Sequence, residues 1–172
     1  MNLKGKRIAI LAEDLYEDQE LWYPYYRLLE EGAEVRIVGP GAKTYTSKHG
    51  YPVQAEVAAS ESRASEFDAV VIPGGYAPDK LRRYPSVLKL VRGIYEQGKI
   101  VAAICHAGSV LISAGIVRGH KATGSVGIRD DLVNAGAEWV DVPAIRDGNL
   151  VFGRVVEDIP AFCRELVKAL GE

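Results

Sequence analysis

Four compact apolar runs punctuate the first two-thirds of the chain: Arg7 to Ala12, Val35 to Val38, Ala69 to Ile72 and Ile100 to Ile104. They are continuous rather than alternating, which is the pattern of strands covered on both faces. Between them the period lengthens to that of amphipathic helices. Asp18 to Glu31 stops at Gly32, and Ser86 to Gln97 places Val87, Leu88, Val91, Ile94 and Tyr95 on one face. Ser86 is the expected N-cap of that second helix and Gly98 its C-cap. Strand and helix in alternation predict a parallel sheet with right-handed crossovers and helices on both faces.

Three stretches depart from plain alternation. Lys43 to Gln54 predicts a short hairpin or edge insertion. Trp139 to Phe152 predicts a hairpin turning at Asp147-Gly148. Asp158 is the expected cap of a last helix, Ile159 to Leu170, which docks through Phe162, Leu166 and Leu170. Pro24 falls inside the first helix, where it should kink the chain. It sits among Trp22, Tyr23, Tyr25 and Tyr26, and four large rings in five positions cannot all face one core.

The 172 residues are expected to form a single domain, 1–172, with a full core of its own. A net charge of −2 supplies no sequence-wide basic field for phosphates, so no nucleic acid is required as a partner. The opening MNLKGKRIAILAED has too short an apolar run for a signal peptide or a membrane span. Two cysteines, Cys105 and Cys163, are too few for a disulfide framework, which makes the cytoplasm the expected location.

Ligands of an open α/β sheet bind beyond the carboxyl ends of its strands, so the residues after each apolar run carry the chemistry. The first run is followed by Glu13-Asp14-Leu15-Tyr16-Glu17-Asp18, which has no glycine to admit a pyrophosphate. No Walker A or G-x-S-x-G pattern occurs, the cysteines lack C-x-x-C spacing, and His49, His106 and His120 lack metal-ligand spacing. Neither a cofactor nor a metal is expected.

The fourth run ends in Cys105-His106-Ala107-Gly108, a strand-to-helix turn that puts a sulfur at a helix N-terminus and favours thiolate. Pro73-Gly74-Gly75 ends the neighbouring run and offers unobstructed amides for an oxyanion hole with the Cys105 amide. Glu17 adds a carboxylate on the same rim. Each residue also has a plain alternative: Cys105 as a small buried apolar group, His106 as a structural histidine, Glu17 as a helix N-terminal acid. Cys163 reads as packing.

LYEDQELWYPYYRLLEEGAEV, VVIPGGYAPDKLR, VAAICHAGSVLISAG and GIRDDLVNAGAEWVD together resemble the PfpI-type cysteine proteases. That family belongs to a flavodoxin-like superfamily which also holds the parkinsonism-associated deglycase and class I glutamine amidotransferase domains. The resemblance runs from about Arg7 to Leu170. It implies a flavodoxin-like doubly wound α/β fold, Cys105 as nucleophile, His106 as base, Glu17 hydrogen-bonding the thiol, and Gly75 as an oxyanion donor. It further implies homodimers that can assemble into hexamers, with Asp79 orienting the histidine of a neighbouring subunit; the competing role for Asp79 is to cap a short helix near Lys80. Two positions depart from the family pattern: Ala107-Gly108 stands where Gly-Pro is common, and Gly124-Ser125-Val126 where an aromatic is.

The expected function is a cysteine-dependent hydrolase of peptides. The alternatives are a glyoxalase or deglycase acting on methylglyoxal or glycated substrates, and a non-catalytic redox-stress sensor or holdase.

Overall fold

The computed structural model describes residues 2–172. Its main sheet has seven strands in the spatial order β10-β11-β7-β6-β1-β2-β5, all parallel except β10. The strands are β1 (Arg7–Leu11), β2 (Glu34–Gly39), β5 (Val57–Ala58), β6 (Ala69–Ile72), β7 (Ile100–Ile104), β10 (Ala144–Asp147) and β11 (Leu150–Gly153). Two small pairs stand apart: β3 (Thr44–Thr46) with β4 (Pro52–Gln54), and β8 (Lys121–Ala122) with β9 (Glu138–Trp139). Helices α1 (Asp18–Glu30) and α6 (Ile159–Gly171) pack on each other, α1 also lying against β2 and α6 against β7, β10 and β11. The second group is α2 (Ala77–Leu81), α3 (Pro85–Glu96), α4 (Gly108–Ser113) and α5 (Arg129–Asn134), with α3 seated on β6 and β7. This is the flavodoxin-like arrangement expected from the alternation of apolar runs.

The four runs are strands because they have nowhere wet to face. β6 and β7 are buried along their whole length, and β1 is buried from Ile8 onward. Register then fixes the site. Ile10 lies beside Ile37 on one side and Val71 on the other, and Ile72 lies beside Ala103, so β1, β6 and β7 end on one rim. The residues that follow them, Ala12 to Glu17, Pro73 to Tyr76 and Cys105 to His106, are brought together by that register.

Several expected boundaries shift. Ser86 is not the N-cap of α3: Pro85 begins the helix, its missing donor costing nothing at that position, and Tyr84 precedes it. Asp158 stands before α6 without a capping bond, because Arg154 takes its carboxylate at 2.8 Å. The last hairpin turns one residue later than expected, since Asp147 pairs with Leu150 and the loop is Gly148-Asn149 with Gly148 at φ +60°. Trp139 belongs not to that hairpin but to the β8/β9 pair. Asp79 lies inside α2 rather than capping a helix at Lys80. Helix α1 runs on through Pro24, which is buried. No helix among the described residues is long and apolar enough to cross a membrane.

Candidate active site

Cys105 sits at φ +61°, a left-handed conformation that costs a non-glycine residue about 1–3 kcal/mol and persists where the surroundings enforce it. β7 and β6 on one side and α4 on the other impose the sharp turn. The sulfur lies 3.4 Å from Nδ1 of His106 and receives the backbone amides of His106 and Gly75. The oxyanion hole expected from Gly75 and the Cys105 amide concerns a substrate oxygen, an acceptor distinct from the sulfur that the His106 and Gly75 amides serve. Gly75 is held by a staple between loops: Tyr76 N–H donates to Leu15 O at 2.9 Å, Glu17 N–H to Gly74 O at 3.1 Å, and Tyr16 bridges Gly75. A side chain at Gly75, at φ +80°, would strike Glu17 N and Leu15 O at 2.6 Å, so only glycine fits.

The carboxylate beside the thiol is Glu20, not Glu17. Glu20 has no exposed surface. Its Oε2 accepts the Gly74 amide at 2.6 Å, and its Oε1 is buried without a hydrogen-bond partner. A Cβ built on Gly74 would collide with both Glu20 Oε2 and the Cys105 Cβ, which shows how closely the acid and the thiol converge. Glu17 sits one turn earlier, at the N-cap of α1, and its Oε2 points to Lys48 Nζ at 2.8 Å. The missed signal was in the helix pattern: Glu20 shares the buried stripe of α1 with Leu21, Pro24 and Leu28, where an acid has no solvent reason to be.

Burial pushes the Glu20 carboxyl up to about 7, against the Gly74 hydrogen bond, and the charge of Glu17 adds to the rise. Burial also pushes the Cys105 thiol up, and an ionised Glu20 pushes it further, while the two amides pull the other way. The expectation of a thiol lowered by its helix terminus alone therefore omits the larger effect. The two titrations are coupled: a protonated Glu20 would donate to a thiolate, whereas an ionised one favours the thiol. Desolvation lowers His106, helped by the charge of Lys48, which keeps the imidazole neutral and able to accept a proton. The ring edge rests beside Gly127, and Ser125 N–H holds Cys105 O at 3.1 Å, so the Gly124-Ser125-Val126 departure leaves this side of the site without a ring.

Asp79 is exposed and its carboxylate pairs with Arg83 one turn on, not with His106 of its own chain. Cys163 is buried, and burial pushes its thiol up to about 12, as befits packing. His120 bonds Tyr95 Oη at 2.8 Å, away from these residues. Among the described residues, the group with metal-ligand chemistry is Glu17, Asp18 and His49, whose ligand atoms lie within 4.8 Å of one another. Lys48 already engages Glu17, and Ser47 with His49 engages Asp18.

A flavodoxin-like sheet carrying a strained cysteine at the end of β7, with a buried acid and glycine amides around it, defines the class: α/β proteins with a cysteine at a strand-to-helix turn. The chain belongs to the DJ-1/PfpI family, which it matches over residues 6–169. It is 45% identical to deglycase PfpI of Pyrococcus furiosus, covering 95% of this chain and 99% of that protein. It is 39% identical to the putative cysteine protease YraA of Bacillus subtilis, covering 96% and 98%. In structure it is similar to a two-domain protein of Anabaena variabilis with DJ-1/ThiJ/PfpI-like and ferritin-like domains, at a TM-score of 0.94 and 43% identity. That alignment covers 96% of this chain and 48% of the two-domain protein, so the chain spans about half its length.

Proposed function

We propose that the protein is a cysteine-dependent enzyme of the deglycase type, acting on small α-oxoaldehydes or on their adducts with protein side chains. The observation that carries this reading is Glu20: one oxygen fixed by Gly74, the other buried without a partner beside a thiol. A peptidase needs a base and a leaving-group acid, which His106 could supply alone. A buried carboxyl that titrates near neutrality has a further use when a proton must move between adjacent carbons.

Cys105 adds as thiolate to the aldehyde carbon. A C–S bond forms, the carbonyl electron pair moves to oxygen, and that oxygen is protonated to give a hemithioacetal, with the Gly75 and His106 amides as the nearest donors. Ionised Glu20 then takes the hydrogen of the former aldehyde carbon as a proton and returns it to the neighbouring carbon, while the hydroxyl proton of the hemithioacetal passes to the neighbouring oxygen, giving the thioester of a 2-hydroxy acid. Water cleaves the thioester, releasing a 2-hydroxy acid and restoring the thiol.

A peptidase also needs a trench for an extended chain at the nucleophile. The large open groove of about 1180 Å³ is lined by Trp22, Tyr23, Tyr26, Tyr51, Val156 and Pro160 among others, and neither Cys105 nor His106 reaches it. That groove is therefore separate from the cysteine. Methylglyoxal and an unfolded protein should be assayed side by side with the native chain, Cys105→Ala and Glu20→Gln. Methylglyoxal loss that disappears in both variants is expected. Proteolysis that depends on Cys105, with no turnover of methylglyoxal, would overturn the assignment.

A further inference from the structure

The loop between β3 and β4 holds a cation at the mouth of the site. Ser47 Oγ is its hub, donating to Asp18 Oδ1 at 2.5 Å and accepting the amides of His49 at 3.1 Å and Tyr51 at 2.9 Å. Lys48 is further tied by its own backbone, whose N–H donates to Tyr16 O at 3.0 Å. The loop therefore does not need the Lys48 ammonium to hold it. That ammonium nevertheless lies 2.8 Å from Glu17 and 5.9 Å from the centre of the Tyr76 ring, and its charge is felt by Glu20 and His106. Glu17 engages one side of a group with three N–H donors, and a third of the Lys48 side chain remains exposed.

We propose that Lys48 is a specificity-determining residue whose ammonium receives a carboxylate, so that among the oxoaldehydes and carbonyl adducts taken at Cys105 the preferred ones carry an acidic group. The inference rests on reading Cys105 as a nucleophile toward carbonyl compounds and adds the substrate class. A neutral aldehyde would leave the free Lys48 hydrogens to water, whereas an oxoaldehyde or adduct that also bears a carboxylate would place its carbonyl carbon at Cys105 and its carboxylate at Lys48. The charged and titratable groups around this position are Glu17, Glu20, His106 and Tyr76, with Asp18 and His49 on the outer side of the loop. Glu17 cancels the charge of Lys48 at long range, so the attraction is a short-range one, felt by a group that can reach the ammonium. The fixed loop means that little ordering is needed on binding.

The test uses two alkylating reagents of equal reach, anionic iodoacetate and neutral iodoacetamide. In both, the Cys105 sulfur bonds to the methylene carbon and iodide departs. The ratio of the two rates at Cys105 is measured by mass spectrometry for the native chain, Lys48→Met, Lys48→Arg and the double variant Glu17→Gln/Lys48→Met. A loosened site would change both rates together and leave the ratio alone. Direct recognition is expected to lower the iodoacetate-to-iodoacetamide ratio about tenfold in Lys48→Met, to spare it in Lys48→Arg, and to leave it low in the double variant. An unchanged ratio in Lys48→Met, or recovery in the double variant, would overturn the proposal, recovery meaning that Lys48 only neutralises Glu17. A native chain with the expected ratio but no turnover of methylglyoxal would sink the functional reading and leave the anion preference standing.

Discussion

A glutamate with no exposed surface, one oxygen on the Gly74 amide and the other beside a thiol, is easier to keep protonated than ionised. Its carboxyl is pushed by burial up to about 7, from 4.5 for the unfolded chain. A folded value above the unfolded one means that the folded state binds the extra proton between those two pH values. Stability from this group is therefore full below about pH 4.5 and declines as pH rises to 7 and beyond. The loss is on the order of 3 kcal/mol at neutral pH. Glu20→Gln cannot titrate, so the variant is expected to gain on the native chain as pH rises from 4 to 8. Urea unfolding of both proteins across that range measures it, and a difference that stays flat with pH would show that Glu20 is not a strained acid. His106 titrates in both proteins and cancels in the comparison.

At the scale of elements, the β3–β4 loop shows what the hydroxyl of one serine can organise. Ser47 is buried and its oxygen serves a carboxylate and two backbone amides. Ser47→Ala removes all three bonds and is expected to cost about 1–3 kcal/mol, since two backbone amides and a carboxylate lose their partner. Hydrogen exchange should speed up at His49 and Tyr51 while β1 and β7 keep their protection; unchanged exchange in the loop would mean that the backbone alone holds it. The strands themselves were legible in the sequence because burial on both faces leaves an uninterrupted apolar run, as in Ala69–Ile72 and Ile100–Ile104. Cys105, His106 and Gly75 were legible because strand ends carry the chemistry of such sheets. Glu20 was not, because the reading took the acid nearest the strand end, whereas one further helical turn carries a side chain beneath the rim. The pairing of Lys48 with Glu17 spans thirty-one residues and depends on where a hairpin folds back, which no local pattern records.

For the molecule as a whole, the aromatic face of α1 is an exposed surface that the site does not use. Trp22 packs against Tyr25, Tyr26 and Tyr51 at centroid distances of 5.4, 5.9 and 5.6 Å. Tyr23, Tyr26 and Tyr51 nevertheless stay 46%, 61% and 57% exposed. We propose that a second copy covers this face, as the family resemblance implies, and that Asp79 serves the His106 of a neighbouring subunit. Sedimentation at micromolar concentration is expected to find a dimer or larger species, which Tyr26→Glu should dissociate. Asp79→Asn should keep the assembly and slow turnover. A native monomer with full activity would contradict both statements.

The central claim is that the titrations of Glu20 and Cys105 are coupled at the rim of the sheet. Its most direct test is the rate of Cys105 alkylation by iodoacetamide as a function of pH, in the native chain, Glu20→Gln and Glu17→Gln. The account expects Glu20→Gln to lower the midpoint of the profile by more than about one pH unit, because it removes the charge that opposes the thiolate. Glu17→Gln should leave the midpoint close to the native one. A profile that follows Glu17 and ignores Glu20 would contradict the account.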